Sequence, residues 1–360
     1  MADNDLNGYL SQAPMKTHHI AVLPGDGIGP EVTAAAVNVL KAACPNLLIF
    51  SEHAVGAGEF LRSGSPLPES AFEACEKADA VLLGAMGLPS VRWPDGREMT
   101  PQIDIRERLD LFAGPRPIKL QSDHDSPLKD YIAGEIDFTI IRENTEGLFS
   151  ARGSIQPEDR SSATDTLHLT RKGCERICRY AFEEAVRRNR PEPKVTLVDK
   201  ANVLPSMVFF REIFDQISAD FPSIATEHIY VDAAALFLLQ RPESFDVIVT
   251  ENMFGDILSD LAAGLIGGMG MAPSGDIGET CAVFQPSHGT APDIAGQGKA
   301  NPIGTILSAA MMLEWLGEIE PACRIENAVQ QTLANPENRA ADLRGSKSTE
   351  ELTNLIISHL

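Results

Sequence analysis

Short apolar runs alternate with longer amphipathic stretches along this chain of 360 residues. The apolar runs are bounded by turn-forming residues and predict buried strands at 18–24, 80–84, 137–141, 194–198, 228–231 and 245–250. The amphipathic stretches repeat their apolar residues at helical spacing and predict helices at 31–43, 69–77, 171–188, 206–220 and 257–265. Strands that alternate with helices are typical of an α/β protein whose sheet is largely parallel.

Two segments interrupt this alternation. Residues 1–17 are polar and acidic, and we expect them to be disordered. Residues 152–166 are polar or small, which predicts an arm that leaves the α/β core. The N-terminal segment lacks the basic start and apolar core of a signal peptide, and the longest apolar run, 233–239, is too short to cross a bilayer. These features favour a cytoplasmic protein without a membrane partner.

The charge balance narrows the class of ligand. The chain carries 51 acidic and 30 basic side chains, which gives a net charge of −21 at pH 7. Such a field repels phosphate backbones, so a nucleic-acid partner is not expected. A small anion can bind only where basic side chains concentrate positive charge locally.

Three arginines and one lysine suit such a site. Arg106 and Arg116 lie in IRERLDLFAGPRP, and Arg142 follows a predicted strand in RENTEG. Arginine binds carboxylates bidentately, so three of them suit a di- or tricarboxylate. Lys200 follows another predicted strand, where burial and neighbouring groups can lower the pKa of a lysine and make it a base. Taken singly, each arginine is also compatible with a surface salt bridge.

A pair of carboxylates lies in TENMFGDILSD. Asp256 and Asp260 are four residues apart, so a helix would point both to one face. Each can give one oxygen to Mg²⁺ or Mn²⁺, and Asp232, after a predicted strand, is a candidate third ligand. The spacing alone is also compatible with acids that interact with a helix dipole.

Two glycine-rich turns bear on nucleotide binding. The GDGIG turn at 25–29 lacks the GxGxxG spacing of a Rossmann fingerprint, so it does not predict a Rossmann site. The HGTAPD turn at 288–293 contains a histidine and an acid. An acid beside an adenosine ribose favours NAD, because it accepts from the 2′-hydroxyl and would repel a 2′-phosphate.

Together these segments resemble the β-decarboxylating dehydrogenases of isocitrate, isopropylmalate, homoisocitrate and tartrate or malate. Five motifs occur in order from about residue 19 onward: LPGDGIGPEV, IRERLDLFAGPRP, RENTEG, VDKANVL with TENMFGDILSD, and HGTAPDIAGQGKANP. The resemblance implies NAD-dependent, Mg²⁺- or Mn²⁺-dependent oxidation of a malate-type 2-hydroxy acid, with or without β-decarboxylation.

The resemblance also implies roles for individual residues. It assigns catalysis to Lys200, which would deprotonate the 2-hydroxyl, and to Asp232. It assigns the substrate carboxylates to Arg106, Arg116 and Arg142, and the metal to Asp232, Asp256 and Asp260. It assigns the cofactor to Ile28, His288, Gly289, Thr290, Ala291, Asp293 and Asn301.

The family fold is α/β but not a Rossmann fold. It implies a large, cofactor-side domain formed by residues 1–111 and 268–360, and a smaller central domain, 112–267, that carries the dimer contacts. In such a homodimer Lys200 and Asp232 enter the active site of the second chain.

One departure from the family pattern concerns the chemistry. The family usually has a tyrosine seven residues after the arginine of RENTEG, where this chain has Phe149. Phenylalanine cannot protonate C3, and loss of a general acid costs about 10²–10⁴-fold in rate. Three interpretations remain open: oxidation without decarboxylation, water or another acid in the tyrosine's place, or a regulatory subunit that binds a tricarboxylate beside an active sister chain.

A second departure concerns the substrate. Isopropylmalate enzymes have leucines in the segment before Arg106, where this chain has Thr100 and Gln102. An apolar substituent would leave these groups unpaired, so they favour a hydroxyl, a carboxylate or no substituent. Gln285, where isopropylmalate enzymes have glutamate, has no interpretation from the sequence.

Overall fold

The structure, a computed structural model, describes residues 17–153 and 161–360. Its strands are β1 (His18–Gly25), β2 (Leu48–Glu52), β3 (Ala80–Ala85), β4 (Ala113–Lys119), β5 (Asp137–Glu143), β6 (Lys194–Asp199), β7 (Ala225–Tyr230), β8 (Val247–Thr250), β9 (Pro273–Ile277) and β10 (Ala282–Pro286). Its helices are α1 (Gly29–Ala43), α2 (Ala57–Ser63), α3 (Glu69–Lys77), α4 (Pro101–Arg108), α5 (Arg171–Arg188), α6 (Pro205–Ser218), α7 (Val231–Gln240), α8 (Asn252–Leu265), α9 (Ile303–Trp315), α10 (Ile319–Ala334) and α11 (Thr349–Ser358).

The ten strands found in the described residues form one sheet, in the order β2-β1-β3-β10-β9-β4-β5-β8-β6-β7. Both flanks are parallel, β2-β1-β3-β10 on one side and β5-β8-β6-β7 on the other. The pairings between them, β10-β9, β9-β4 and β4-β5, are antiparallel. The prediction of an α/β fold with a largely parallel sheet is confirmed. The antiparallel pairing at the centre of the sheet was not predicted.

The two flanks meet at a seam between β9 and β4. These strands share one register pair, Ala113 with Ile277, whereas β4 and β5 are paired from Ala113 to Lys119. The predicted domain boundaries at 112 and 267 fall just before β4 and just after α8. The division into two domains stays a prediction.

Continuous apolar runs form the inner strands β3 and β8 because helices cover both faces of the sheet there. β3 and β8 are buried along their whole lengths. Helix α5 packs on β5 and β8, and α9 packs on β9 and β10.

Three local predictions need correction. Helix α8 begins at Asn252, five residues before the predicted start, because the Glu251 carboxylate accepts two backbone N–H groups of its first turn. Asp256 and Asp260 therefore lie inside the helix, and the helix-dipole interpretation does not apply to them. The strand predicted at 228–231 ends at Tyr230, since the next residue already begins α7. Arg142 lies within β5, not after it.

Part of two predicted segments lies outside the described residues. This applies to 1–16 of the N-terminal segment and to 154–160 of the predicted arm. Within the residues that are described, no helix is long and apolar enough to cross a membrane.

Candidate active site

A cavity of about 220 Å³ opens beside the seam. Its lining includes Gln102 and brings together residues from four of the five sequence motifs: Arg106, Arg116, Arg142, Asp256, Asp260, His288 and Gly289. Eight predicted site residues do not line it: Thr100, Lys200, Asp232, Ile28, Thr290, Ala291, Asp293 and Asn301.

The positive side of the cavity is formed by Arg106, Arg116 and Arg142, which we call the arginine wall. They come from three elements, the last turn of α4, β4 and β5, and all three are buried. Burial, followed by repulsion from Arg106, lowers the pKa of Arg142 to about 10. Burial also lowers the pKa of Arg116. Arginine keeps its charge at neutral pH under such conditions, so the wall concentrates the positive charge that an anion requires.

A buried acid that the sequence analysis missed holds this wall together. Asp276 of β9 accepts Arg106 Nη2 at 3.0 Å and Arg116 Nη2 at 3.3 Å. Asn144 and Gln285 donate their amide N–H groups to the same carboxylate at 2.9 and 2.7 Å. Burial by itself raises the pKa of Asp276, but the two arginines outweigh burial and hold the pKa below its ordinary value. Strand β9 reads PSGDI, and no local pattern in it marks Asp276.

Arg142 is fixed by α8. Its Nε and Nη2 donate to Asn252 Oδ1 at 3.0 and 2.8 Å, and its Nη1 contacts Asp256. The helix can approach this closely because residue 255 is glycine: a Cβ on Gly255 would lie 2.7 Å from the Cβ of Arg142. The TENMFGD segment therefore positions an arginine as well as presenting carboxylates.

Asp256 and Asp260 lie one turn apart on α8, and both line the cavity. Burial, followed by repulsion from Asp256, raises the pKa of Asp260. Two adjacent carboxylates of this kind are hard oxygen donors that fit Mg²⁺ or Mn²⁺. No group of three or more His, Cys, Asp or Glu side chains suited to a metal occurs among the described residues of one chain.

Lys200 and Asp232 lie together, but away from the cavity. Lys200 follows β6, Asp232 lies in the first turn of α7, and Nζ is 2.6 Å from Oδ1. In the sheet β7 lies three strands from β5, a distance of about 14 Å at ordinary strand spacing. The hydrogen bond from Lys200 lowers the pKa of Asp232, whose side chain is 70% exposed. The pair therefore faces solvent in a single chain.

The HGTAPD loop packs against the first glycine turn. The Ile28 N–H donates to the Thr290 carbonyl at 2.9 Å. Gly27 has a φ of 60°, and a Cβ there would lie 2.0 Å from the same carbonyl oxygen. Only glycine fits this contact, which brings the two predicted cofactor segments together.

The other predicted cofactor residues continue from this contact. His288 and Gly289 line the cavity, and the next turn holds Ala291 at a φ of 35°. Asp293 is exposed, so its carboxylate is accessible to a ligand. Asn301 is buried, and its amide donates to Asp342 at 3.1 Å. An exposed acid on a loop beside the cavity fits an adenosine ribose.

Phe149 lies beside the arginine wall. Its ring centroid is 5.3 Å from the guanidinium carbon of Arg142. Arg152, after the same short turn, pairs with Asp104 and Glu107 of α4 at 2.6 Å. The ring without a hydroxyl is thus held at the edge of the site.

Three polar atoms of the cavity lining are buried and have no hydrogen-bond partner among the described residues: Gln102 Oε1, Arg106 Nε and His288 Nε2. Burial lowers the pKa of His288, and its Nδ1 lies 2.9 Å from the Gly289 carbonyl. Nδ1 therefore donates, which leaves Nε2 as an acceptor. An unpaired buried polar group costs about 1–3 kcal/mol, so these atoms indicate where a ligand binds.

Comparisons with known proteins show the family of this chain. The family model described as isocitrate/isopropylmalate dehydrogenase matches residues 19–356. A 3-isopropylmalate dehydrogenase of Priestia megaterium is 46% identical over 341 residues, which cover 91% of this chain and 90% of that protein. The 3-isopropylmalate dehydrogenase of Bacillus subtilis is 44% identical, with 93% and 94% covered.

Solved structures give the same result for the fold. Isocitrate dehydrogenase from Methylococcus capsulatus superposes with a TM-score of 0.86 at 36% identity, covering 95% of this chain and 99% of that one. A β-decarboxylating dehydrogenase from Thermococcus kodakarensis has a TM-score of 0.80 at 38% identity, with 95% and 96% covered.

Proposed function

Because this chain belongs to the isocitrate/isopropylmalate dehydrogenase family, we propose that it is an NAD- and divalent-metal-dependent dehydrogenase that oxidises a malate-type 2-hydroxy acid. The observation that carries the proposal is a cavity in which three buried arginines face two carboxylates one helical turn apart. The arginines suit the carboxylates of the substrate, and Asp256 and Asp260 suit the metal that would bind its 2-hydroxyl oxygen.

We propose that a second copy of the chain completes the site. Helices α7 and α8 pack side by side. Helix α7 exposes Leu236 and Leu239 close in sequence to Asp232, and α8 exposes Ile257. An exposed apolar surface of this kind suits a symmetric interface between two copies. Asp232 of the second copy would then be the third metal ligand, and its Lys200 would take the proton of the 2-hydroxyl.

The chemistry follows from these positions. The bound metal would lower the pKa of the 2-hydroxyl and polarise the product carbonyl, and NAD⁺ would accept the hydride from C2. Lys200 acts as the general base, and the arginine wall orients the malate carboxylates so that C2 faces the HGTAPD loop. The accessible carboxylate of Asp293 supports NAD rather than NADP.

The substituent at C3 is proposed to be small and polar. Gln102 presents a buried oxygen without a partner, to which a substrate hydroxyl can donate. An isopropyl group would leave that oxygen unpaired. The names of the relatives from Priestia megaterium and Bacillus subtilis make 3-isopropylmalate the second candidate.

Phe149 supports oxidation without decarboxylation, because the ring beside Arg142 has no proton to give to C3. The same residue favours the alternative function of a regulatory subunit that binds a tricarboxylate. The presence of Lys200 together with all three aspartates supports the enzyme over the regulatory subunit.

The test is NADH formation by the purified chain with Mn²⁺ and a panel of D-malate, the tartrates, isocitrate and 3-isopropylmalate, while CO₂ is measured in parallel. We expect NADH with malate or a tartrate, little CO₂, and no NADH from the Lys200→Met variant. NADH with stoichiometric CO₂ would show that another acid replaces the tyrosine. A preference for 3-isopropylmalate would overturn the polar-substituent proposal. Substrate binding without any NADH would favour the regulatory subunit.

A further inference from the structure

Asp276 lies behind the arginine wall and does not line the cavity. It contacts Arg106, Arg116 and Gln285, which do line it, and only 2% of its side chain is exposed. We propose that Asp276 is a specificity-determining residue that restricts the site to hydroxy acids with two carboxylates. The inference rests on the proposed function, since it concerns the substrate of the same cavity.

The first argument concerns the arginine N–H groups that remain for a ligand. Arg116 donates from Nη1 to the Gly275 carbonyl at 3.2 Å and from Nη2 to Asp276. Arg106 also donates from Nη2 to Asp276, while its Nε has no partner in the described chain. Arg142 is held in a similar way by α8. The protein itself therefore uses much of the donor capacity that three free arginines would offer to substrate carboxylates.

The second argument is charge. The three buried arginines carry three positive charges, and the ionised Asp276 reduces this sum to two, which a dianion balances. Asp256 and Asp260 add two negative charges, which a divalent cation balances when it is bound. A trianion would leave one negative charge uncompensated beside these acids, and such a charge is costly in a buried site.

The same arrangement explains Gln285. Its Nε2 donates to Asp276 Oδ2 at 2.7 Å. A glutamate at this position would place a second carboxylate against Asp276 without a proton between them, and the two would repel each other. The amide at 285 and the acid at 276 are therefore a matched pair.

Ligand binding, rather than turnover, tests the proposal. Calorimetric titration at pH 8 with Mg²⁺ and without NAD⁺ compares D-malate, a dianion, with isocitrate, a trianion. Asp276→Asn keeps the shape of the side chain and removes its charge. We expect the affinity for isocitrate relative to D-malate to rise about tenfold or more, because a nearby charge acts most strongly on the more highly charged ligand. Gln285→Glu should change the same ratio in the opposite direction.

Glu73→Gln is the matched control, since it also removes one negative charge but from an exposed pair with Lys77 on α3. Its affinity ratio should equal that of the wild type. If Asp276→Asn changes both affinities by the same factor, Asp276 has a structural role only and the proposal is wrong. If Asp276→Asn fails to fold, the Gln285→Glu variant decides, and an unchanged ratio overturns the proposal. If the wild type binds neither ligand, the proposed function itself fails.

Discussion

The arginine wall and the Lys200–Asp232 pair are built in opposite ways. The guanidinium groups of the wall are buried and share the Asp276 carboxylate or the partners supplied by α8. The Lys200–Asp232 pair rests on one hydrogen bond, and Asp232 is mostly exposed. One half of the proposed site is therefore complete within a chain, whereas the other half lies open at its surface.

The physical reason lies in desolvation. Buried charges are tolerated only when the surrounding chain satisfies them, so the wall forms as the protein folds. An exposed pair is solvated by water and needs no further partner. In the proposed enzyme, recognition of the substrate carboxylates is thus part of the fold, while the proposed base and third metal ligand depend on association with a second copy.

The largest expected effect tests whether the two halves belong to different chains. Lys200→Met removes the proposed base, and Asp256→Ala removes a proposed metal ligand from the cavity half, so each homodimer should lose about 10²–10⁴-fold in kcat. A heterodimer of the two variants, purified through two affinity tags, has one intact site. We expect it to regain about half of the wild-type activity.

The control is a heterodimer of Lys200→Met with Lys200→Ala, in which both lesions lie in the same half. It should stay inactive, because neither site receives a lysine. If the Lys200→Met and Asp256→Ala heterodimer also stays inactive, each site is formed within one chain and the comparison fails.

The next effect concerns stability and compares the two acids directly. Asp276→Ala leaves buried guanidinium groups without their anion, and it should lower the free energy of unfolding by about 3–5 kcal/mol. Asp232→Ala should cause no measurable change in the metal-free protein, because Lys200 remains solvated. Urea denaturation monitored by circular dichroism measures both. Equal losses in the two variants would mean that the wall is no more tightly integrated than the pair.

Differences in burial and composition also explain which strands could be predicted from the sequence. Strands β3 and β8 are continuous apolar runs because both of their faces are buried. β4 was not predicted, because it contains Pro115 and Pro117 around Arg116. Proline cannot donate to a strand ladder, which agrees with the single register pair between β4 and β9. The strand that carries Arg116 thus lacks the pattern that marks β3 and β8.

The site shows a similar division. Residues in the motifs could be predicted because five motifs in order resemble one family, although each arginine or carboxylate pair alone has other uses. The structure brings Arg106, Arg142 and Asp260 to one cavity. Asp276 could not be predicted, because its role depends on contacts between residues 106 and 276 that no local pattern contains. The expectation that Lys200 and Asp232 act in the site of a second chain came from the family resemblance, not from their spacing in the sequence.

A substitution with a smaller expected effect tests whether the buried, unpaired oxygen of Gln102 contacts the substrate. Gln102→Leu replaces a buried acceptor with an apolar group, so the ratio of kcat/KM for 3-isopropylmalate to that for D-malate should rise about tenfold. Gln331→Leu, an exposed substitution on α10, is the control and should leave the ratio unchanged. An unchanged ratio in Gln102→Leu would place the C3 substituent elsewhere.

The smallest predicted effect concerns the carboxyl group of Glu314, which lies outside the arginine wall. A second cavity, of about 690 Å³, lies on the other face of the seam, since it is lined by Pro115 and Pro117, the neighbours of Arg116 in β4. At this cavity, partial burial and then the acids Glu326 and Glu184 raise the pKa of Glu314 to about 7, although Lys119 and Arg187 oppose the shift.

Because the pKa of Glu314 is higher in the folded state than its ordinary value of 4.5, the folded state holds this proton more tightly. The stabilising contribution of the protonated carboxyl is fully present below pH 4.5 and is lost as the pH rises through about 7. Glu314→Gln should therefore raise the free energy of unfolding at pH 8 by about 1 kcal/mol, a value reduced by solvent screening of this exposed side chain. Urea denaturation of both proteins at pH 5 and pH 8 measures it, and the same difference at both values would contradict the assignment. Neutralising Asp276 should not raise the free energy of unfolding at pH 8. Its charge is already compensated by the neighbouring arginines, whereas the charge of Glu314 is not.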